Sequence, residues 1–168
     1  MFYLELFKAL DEEGVRYLVA GGLAVNLHGV SRLTMDVDLM IALDAGNLGR
    51  FVQAAQRLAL APVVPVPLAD LADEAKVRSW VTQRRMLAFA LRPPVKSDPT
   101  VDLLVETPVP FEEAYARRIE KTISGTRIPV ASIADLIAMK TGTGRLKDES
   151  DIASLRALTA PPSGGAGR

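Results

Sequence analysis

The sequence predicts an α/β (α+β) domain in which helices flank a mixed central β-sheet. Segments with the helical period of apolar residues alternate with short, β-rich apolar runs over roughly the first sixty residues. Further strands and two closing helices follow. The chain has 168 residues, which suits one domain. We therefore predict a single domain over residues 1–158 and a disordered tail over 159–168, where Pro, Gly and small residues leave little to bury.

Apolar periodicity, glycines and capping residues delimit the elements along the chain. The predicted helices are 2–13, 23–29, 44–61, part of 68–85, 111–121, 132–142 and 148–158. The predicted strands are 15–20, 36–43, 86–91 and 101–106, followed by a hairpin over 122–130. Asp44 and Ser132 are the expected N-caps of their helices, and Ser124-Gly125 is the expected hairpin turn. The proline-rich segment 62–67 is predicted to be an edge strand or a loop.

Composition excludes several classes of site. The chain has no cysteine, so disulfides, thiolate metal sites and cysteine nucleophiles are ruled out. Twenty basic residues balance 20 acidic ones, so overall charge does not indicate nucleic-acid binding, although a local basic patch would suffice. The N-terminus lacks the features of a signal peptide, and the apolar segments are too short to span a bilayer. We expect a soluble cytoplasmic protein with no membrane partner.

Two aspartates interrupt the apolar strand "DVDLMI". Because side chains alternate along a strand, Asp36 and Asp38 share one face, about 6.6 Å apart, and both can bind one divalent ion. The segment "VDLLVE" has the same alternation, and Asp102 joins the pair if the two strands are neighbours. Strand parity favours Asp102 over Asp98 or Glu106. Three carboxylates would suit Mg²⁺ or Mn²⁺ rather than zinc.

A pair of glycines, Gly21 and Gly22, precedes this strand and lies between the predicted strand 15–20 and helix 23–29. Glycines at such a junction allow the backbone to approach a ligand, and the N–H groups that begin a helix favour an anion. An anion that also coordinates the metal would fit between them. A nucleoside triphosphate is the common ligand of this kind, so the sequence predicts a triphosphate-binding site.

The stretch "GGLAVNLHGVSRLTMDVDL" resembles the signature of the DNA-polymerase-beta-like nucleotidyltransferase superfamily. Within it, the stretch is most similar to the minimal bacterial nucleotidyltransferases grouped with the toxins of type IV abortive-infection (toxin–antitoxin) systems. A second marker of those proteins, near their C-terminus, is similar to "MKTGTGRLKDESDI". That segment contains Lys140, Arg145, Lys147, Asp148 and Asp151.

The resemblance implies a nucleotidyltransferase fold, a divalent metal and a nucleoside triphosphate (NTP) substrate. It implies that Asp36, Asp38 and Asp102 are metal-binding and catalytic, with Asp102 assisting deprotonation of the acceptor hydroxyl. The residues that it implies on the triphosphate are Gly21, Gly22, Arg32, Thr34, Arg145 and Lys147, with Lys140 adding catalytic charge. In one departure, Gly22 stands where many members have a serine whose hydroxyl contacts phosphate. The resemblance also implies an antitoxin protein as partner.

Several residues have a structural interpretation beside the functional one. His28 is predicted to pack at a helix boundary rather than to act as a base. Arg32 either contacts substrate or forms an ion pair that orients Asp36 or Asp38. Asp148 and Asp151 fall in the first turn of a helix, where negative charge is favourable in itself. Residues expected to be structural rather than to line an acceptor groove are Trp80, Arg84 and Arg85, and segment 117–121 is expected to be a solvated helix face.

The function predicted from the sequence is Mg²⁺-dependent transfer of a nucleoside monophosphate to an acceptor hydroxyl on RNA, protein or a small molecule. RNA and protein are the favoured acceptors. One alternative is a catalytically inactive member of the same fold that binds nucleotide or a partner. Another is a nucleotide-sugar glycosyltransferase, which also uses Asp-x-Asp and a metal but leaves the glycine pair and the C-terminal segment unexplained.

Overall fold

A computed structural model of the protein describes residues 1–161, which form one mixed, seven-stranded sheet with helices on both faces. The helices are α1 (Phe2–Glu12), α2 (Gly21–Leu27), α3 (Ala45–Arg57), α4 (Glu74–Arg84), α5 (Phe111–Ala116), α6 (Ile133–Lys140) and α7 (Leu146–Thr159). The strands are β1 (Tyr17–Val19), β2 (Asp36–Ile41), β3 (Ala61–Pro62), β4 (Ala88–Arg92), β5 (Thr100–Leu104), β6 (Ile119–Ile123) and β7 (Thr126–Val130). A 3-10 helix precedes α4 over Leu68–Ala72.

The strand order is β3-β4-β5-β2-β1-β7-β6. The central pair, β2 and β5, is parallel, and β4 and β1 flank it antiparallel on either side. β1 pairs with β7 in parallel, and β7 forms an antiparallel hairpin with β6. The predicted α/β class with a mixed central sheet is therefore confirmed.

The core lies between one face of the sheet and a layer made of α1, α3, the 3-10 helix and α4. On the central strands this face carries apolar side chains that are almost fully buried: Val37, Leu39, Phe89, Leu91, Val101 and Leu103. Trp80 of α4 stacks on Phe89 with ring centroids 5.4 Å apart, so this tryptophan is part of the core. Burial of this apolar surface is the main contribution to the stability of the domain.

The opposite face carries α2, α6 and α7, with α2 against β2 and α6 packed between α2 and α7. His28 follows α2, and its Nε2 donates a hydrogen bond to the carbonyl of Ala131, 2.8 Å away, just before α6. This contact ties the end of α2 to the beginning of α6. It is the packing role expected for the one histidine of the chain.

The bounds of four predicted helices need correction. The predicted helix 44–61 ends at Arg57, and Ala61 belongs to β3. The predicted helix 111–121 ends at Ala116, and residues 119–123 form β6 instead of a solvated helix face, because Ile119, Thr122 and Ile123 are better accommodated in a hairpin. α2 begins at Gly21 rather than at residue 23. α7 begins at Leu146 and extends to Thr159, one residue into the predicted tail. Residues 162–168 lie outside the described residues, so disorder in the tail stays a prediction.

Both predicted N-caps are confirmed. The side chain of Asp44 accepts a hydrogen bond from the N–H of Asn47, and that of Ser132 accepts one from the N–H of Asp135. The predicted turn at Ser124-Gly125 is also confirmed, with both residues at positive φ. No helix within residues 1–161 has the length and apolar character needed to cross a membrane.

Asn47 is a buried polar residue that sequence analysis did not identify. Its amide donates to the carbonyls of Arg16 and Ala42, both 2.9 Å away, and its Oδ1 accepts from the N–H of Arg16 at 2.7 Å. The side chain thereby connects the residue before β1, the residue after β2 and the first turn of α3. These three contacts supply hydrogen bonds to the N–H of Arg16 and the carbonyls of Arg16 and Ala42, and the carbonyl of Arg16 also accepts from the N–H of Ala42 at 3.3 Å.

We predict that Asn47→Ala lowers the free energy of unfolding by about 2–4 kcal/mol, because it leaves buried backbone groups unsatisfied. Urea unfolding followed by circular dichroism measures the change. Gln53→Ala, on the exposed side of the same helix, is the matched control and should change stability by less than about 0.5 kcal/mol. Equal stability of the two variants would contradict the role assigned to Asn47.

Candidate active site

The parallel register of β2 and β5 brings the predicted carboxylates together. Asp38 pairs with Asp102 and Asp36 pairs with Thr100, so all four side chains lie on the same face of adjacent strands, about 4.8 Å apart. The hydroxyl of Thr100 donates to Oδ1 of Asp36 at 2.8 Å. Asp102 therefore lies beside Asp38, as strand parity predicted, and this face carries three acidic side chains within two strands.

The electrostatics of this cluster favour a bound cation. Burial raises the pKa of Asp38 above its usual value, and the negative charge of Asp36 raises it further. Lys140, Lys147 and Arg32 oppose that rise in the pKa of Asp38 but do not cancel it. Burial, then the charges of Asp38 and Asp36, also raise the pKa of Asp102. Among residues 1–161, neither Asp38 nor Asp102 has an ion-pair or hydrogen-bond partner for its carboxylate. A divalent ion would relieve this repulsion.

Gly21 is required by the position of Asp38. A Cβ atom at residue 21 would overlap the carboxylate of Asp38, and φ at Gly21 is +58°, which side chains rarely adopt. A Cβ atom at Gly22 would lie 2.8 Å from Oγ1 of Thr34 and 3.0 Å from Cζ of Arg32. The glycine pair thus lets the backbone at the beginning of α2 approach both β2 and the segment that precedes it.

A network of buried charges connects this segment to α6 and α7. Nζ of Lys140 lies 2.9 Å from Oδ1 of Asp148 and 2.8 Å from Oδ2 of Asp151. Arg32 forms an ion pair with the same carboxylate of Asp151. Burial raises the pKa of Asp148, but hydrogen bonds from Thr143 and Lys140 outweigh it, so the net pKa lies below its usual value. The network holds α7 against α6 and holds Arg32 over Gly22.

This network corrects two interpretations made from the sequence. The ion pair of Arg32 is with Asp151 and not with Asp36 or Asp38. Asp148 and Asp151 are buried ion-pair partners of Lys140, so their role exceeds a favourable interaction with the helix N-terminus. The sequence of the C-terminal segment does indicate such a network, because it places Lys140, Asp148 and Asp151 on two consecutive helices. The pairing itself was missed because it depends on how α6 and α7 pack.

One cleft of about 570 Å³ contains every predicted site residue. Its lining includes Gly21, Gly22, Arg32, Thr34, Asp36, Asp38, Asp102, Lys140, Arg145 and Lys147. Three strongly exposed apolar residues also line it, namely Leu33 (84% exposed), Met35 (66%) and Leu87 (65%). The cleft combines acidic and basic side chains with an apolar mouth, a combination that suits a ligand with charged groups and an organic body.

Most of the other candidates lie outside this cleft. Trp80 is buried in the core, and Arg84 and Arg85 are exposed at the end of α4, so these three residues do not form an acceptor groove. Glu106, the alternative to Asp102, lines the cleft but lies beyond the end of β5. Asp98 does not line it.

The residues present fit a divalent metal in the chemistry of their donors, since Asp36, Asp38 and Asp102 offer the carboxylate oxygens that Mg²⁺ and Mn²⁺ prefer. Within residues 1–161, however, no three acidic or histidine side chains are already arranged as a metal-binding group. That these carboxylates bind a metal stays a prediction.

The architecture is that of known nucleotidyltransferases. The structure of the lincosamide antibiotic adenylyltransferase LnuA, solved with lincomycin bound, matches with a TM-score of 0.61 and 17% identity over 94% of each chain. The antibiotic-resistance factor ANT(2'')-Ia matches with a TM-score of 0.58 and 14% identity, over 94% of this chain and 82% of that one. An antigenic nucleotidyltransferase-like protein from Paracoccidioides brasiliensis matches with a TM-score of 0.52 and 20% identity, over 91% and 71%. The nucleotidyltransferase fold is thereby confirmed.

Sequence comparison identifies the family more closely. No curated protein sequence matches the chain. A sequence model described as "Nucleotidyl transferase AbiEii toxin, Type IV TA system" matches residues 6–143, which include the glycine pair, the three aspartates and Lys140. This match spans most of the chain and agrees with the resemblance found in residues 21–41. The protein therefore belongs to the AbiEii family of nucleotidyltransferase toxins of type IV toxin–antitoxin systems.

Proposed function

We propose that the protein transfers a nucleoside monophosphate from an NTP to an acceptor hydroxyl on RNA, protein or a small molecule, in a reaction that requires Mg²⁺ or Mn²⁺. The observation that carries the proposal is the register of β2 and β5. It sets Asp38 beside Asp102, both with a raised pKa, on one wall of a cleft that also contains Arg32, Arg145 and Lys147. Two-strand acidic clusters of this kind are unfavourable without a cation.

The triphosphate is proposed to lie on the side of the cleft formed by α2 and α7. Gly21 and Gly22 let the backbone at the beginning of α2 lie close to Asp38, Thr34 and Arg32. The N–H groups of this backbone would bind phosphate oxygens. Arg32 is held in place by Asp151, while Arg145 and Lys147 are exposed at the beginning of α7. These cations, with the hydroxyl of Thr34, would bind the triphosphate and stabilise pyrophosphate as it leaves.

Asp36 and Asp38 would hold the metal, and when bound it supplies charge neutralisation at the α-phosphate and leaving group. The acceptor oxygen attacks the α-phosphorus, the bond to the pyrophosphate oxygen breaks, and the acceptor proton passes to the carboxylate of Asp102. A raised pKa makes Asp102 a better proton acceptor at neutral pH than an ordinary aspartate. The products are the nucleotidylated acceptor and pyrophosphate.

The wider assignment rests on the family. We propose that the protein acts as a toxin whose partner is an antitoxin protein, and that it works in the cytoplasm, where NTPs are available. The unpartnered carboxylates of Asp38 and Asp102 argue against the inactive binding protein, because a chain without a metal-dependent reaction gains nothing from this repulsion.

We predict that Asp38→Asn abolishes the Mg²⁺-dependent part of ATP binding and reduces transfer at least a thousandfold, because one metal-binding carboxylate is removed. Calorimetry with ATP and Mg²⁺, and again with chelator, measures the binding. Asp98→Asn, which changes a nearby aspartate outside the cleft, is the matched control and should behave like the wild type. ATP binding by the wild type that is equal with and without chelator would contradict the metal site.

Asp38→Asn is also predicted to be more stable to unfolding than the wild type at pH 7. A carboxyl group whose pKa is raised on folding stabilises the protein below its usual pKa of 3.8, and this contribution is lost as pH rises through the folded pKa. Asp38→Asn has no charge at this position at pH 7, so its melting temperature at pH 7 should be a few degrees higher than that of the wild type. The difference in melting temperature between the two proteins should vanish near pH 3.5. A lower melting temperature at pH 7 would show that Asp38 is not in a repulsive environment.

Lys140 and Lys147 are predicted to have separable roles. Lys140→Ala leaves Asp148 and Asp151 buried without their lysine and should lower the free energy of unfolding by about 3 kcal/mol. Lys147→Ala changes an exposed residue, so it should weaken ATP binding about tenfold with stability unchanged. Thermal melts and calorimetry on both variants check this. The assignment is wrong if Lys140→Ala keeps full stability.

The acceptor class is determined by incubating the protein with each α-labelled NTP, Mg²⁺ and a bacterial lysate divided into RNA, protein and small-molecule fractions. Label in one fraction identifies the acceptor, and Asp38→Asn should leave that fraction unlabelled. Clean nucleotide binding with no label in any fraction would contradict transferase activity and favour the inactive binding protein.

A further inference from the structure

The register of β4 extends the row of site residues beyond the three aspartates. Ala90 pairs with Asp102 and Ala88 pairs with Leu104, so the side chains of Ala88, Ala90 and Arg92 lie on the same face of the sheet as the carboxylates. Their neighbours in β4, Phe89 and Leu91, point to the opposite face and are buried. We call the row of Ala88, Ala90 and Arg92 the β4 shelf.

The β4 shelf is open and adjoins the cleft. Ala88 and Arg92 are exposed, Ala90 is half-buried, and Ala88 itself lines the cleft beside Asp102. The helices on this side of the sheet, α2, α6 and α7, pack over β2 and against one another. Because alanine side chains end at Cβ, the shelf leaves room for a molecule to lie flat on the sheet next to Asp102.

Arg92 is the basic residue of the shelf. Continuing the register of β4 and β5 places Arg92 beside Thr100, whose hydroxyl donates to Asp36 of β2. The backbones of Arg92 and Asp36 are therefore separated by two strand spacings, or about 10 Å. The side chain is exposed and has no ion-pair or hydrogen-bond partner among residues 1–161. Its guanidinium is therefore available to bind an anionic group of a ligand.

The position of Arg92 separates it from the triphosphate-binding side. The triphosphate-binding side consists of α2 with its two glycines, Arg32 before β2, and Lys147 of α7. Arg92 lies in β4, beyond β5, on the other side of the carboxylates. In-line displacement at the α-phosphorus requires the attacking oxygen to arrive opposite the departing pyrophosphate. If pyrophosphate leaves toward α2 and α7, the acceptor approaches over β5 and β4.

We propose that the β4 shelf binds the acceptor and that Arg92 is its specificity-determining residue, holding a phosphate group of the acceptor so that a nearby hydroxyl lies against Asp102. This inference rests on the proposed function and identifies the acceptor as a phosphate-bearing molecule. A polynucleotide and a small phosphorylated compound both carry this group, and the experiment distinguishes them.

The test uses Arg92→Ala, Arg92→Lys and the matched control Arg127→Ala. Arg127 is also an exposed strand arginine without an ion-pair partner in residues 1–161, but it lies in β7, toward the opposite edge of the sheet from β4. The acceptor probes are total bacterial RNA and the small-molecule and protein fractions of a bacterial lysate, the first two used with and without phosphatase or nuclease treatment. Label transfer from α-labelled NTP is measured against acceptor concentration, and NTP affinity is measured separately by calorimetry.

Arg92→Ala should raise the acceptor concentration at half-maximal transfer about tenfold in one of the two arms, with NTP affinity and melting temperature unchanged. Arg92→Lys should recover part of the loss, and Arg127→Ala should match the wild type. An unchanged half-saturating concentration, an equal loss of NTP affinity, or label confined to protein would overturn the inference while leaving transferase activity intact. No transfer by the wild type to any fraction would overturn the proposed function and this inference with it.

Discussion

The parallel pairing of β2 with β5 places the carboxylate of Asp38 beside that of Asp102, and the surrounding structure accommodates these like charges. The pKa of each aspartate is raised, so the folded protein carries an electrostatic cost at neutral pH that its sheet alone does not relieve. Lys140, Lys147 and Arg32 reduce that cost at Asp38. This repulsion between carboxylates favours binding of a cation, together with the phosphates that the cation binds.

The C-terminal helices α6 and α7 line the same cleft as β2 and β5, although they lie far from these strands in the sequence. Asp148 and Asp151 face inward from α7 and bind Lys140 of α6, while Arg145 and Lys147 remain exposed at the cleft. Asp151 also pairs with Arg32, whose guanidinium carbon lies close to Gly22. One buried network thus fixes the position of α7 and orients the segment that precedes β2. Fold stability and site geometry depend on the same residues here.

Local patterns in the sequence were sufficient for much of this site. Alternation in "DVDLMI" and "VDLLVE" predicts which carboxylates share a face. The glycine pair predicts a close approach of the backbone to a ligand, which stays a prediction, and the structure shows that Gly21 also lies against the side chain of Asp38. The pairing of Asp38 with Asp102 was conditional, because strand order in a sheet is a non-local property. The ion pairs of Lys140 and the contacts of Asn47 depend on packing between distant elements, and no local pattern predicts them. The charges of residues 117–121 predict a solvated helix face, whereas pairing with β7 (Thr126–Val130) places residues 119–121 in a strand.

The central claim is that Asp36 and Asp38 hold a divalent ion together with the phosphates of an NTP. Anomalous diffraction from crystals grown with Mn²⁺ and a non-hydrolysable nucleoside triphosphate tests it directly. We expect a Mn²⁺ peak within coordination distance of both carboxylates and of a phosphate oxygen, on the side of the cleft formed by α2 and α7. Clear nucleotide density with no Mn²⁺ peak at Asp36 and Asp38 would contradict it.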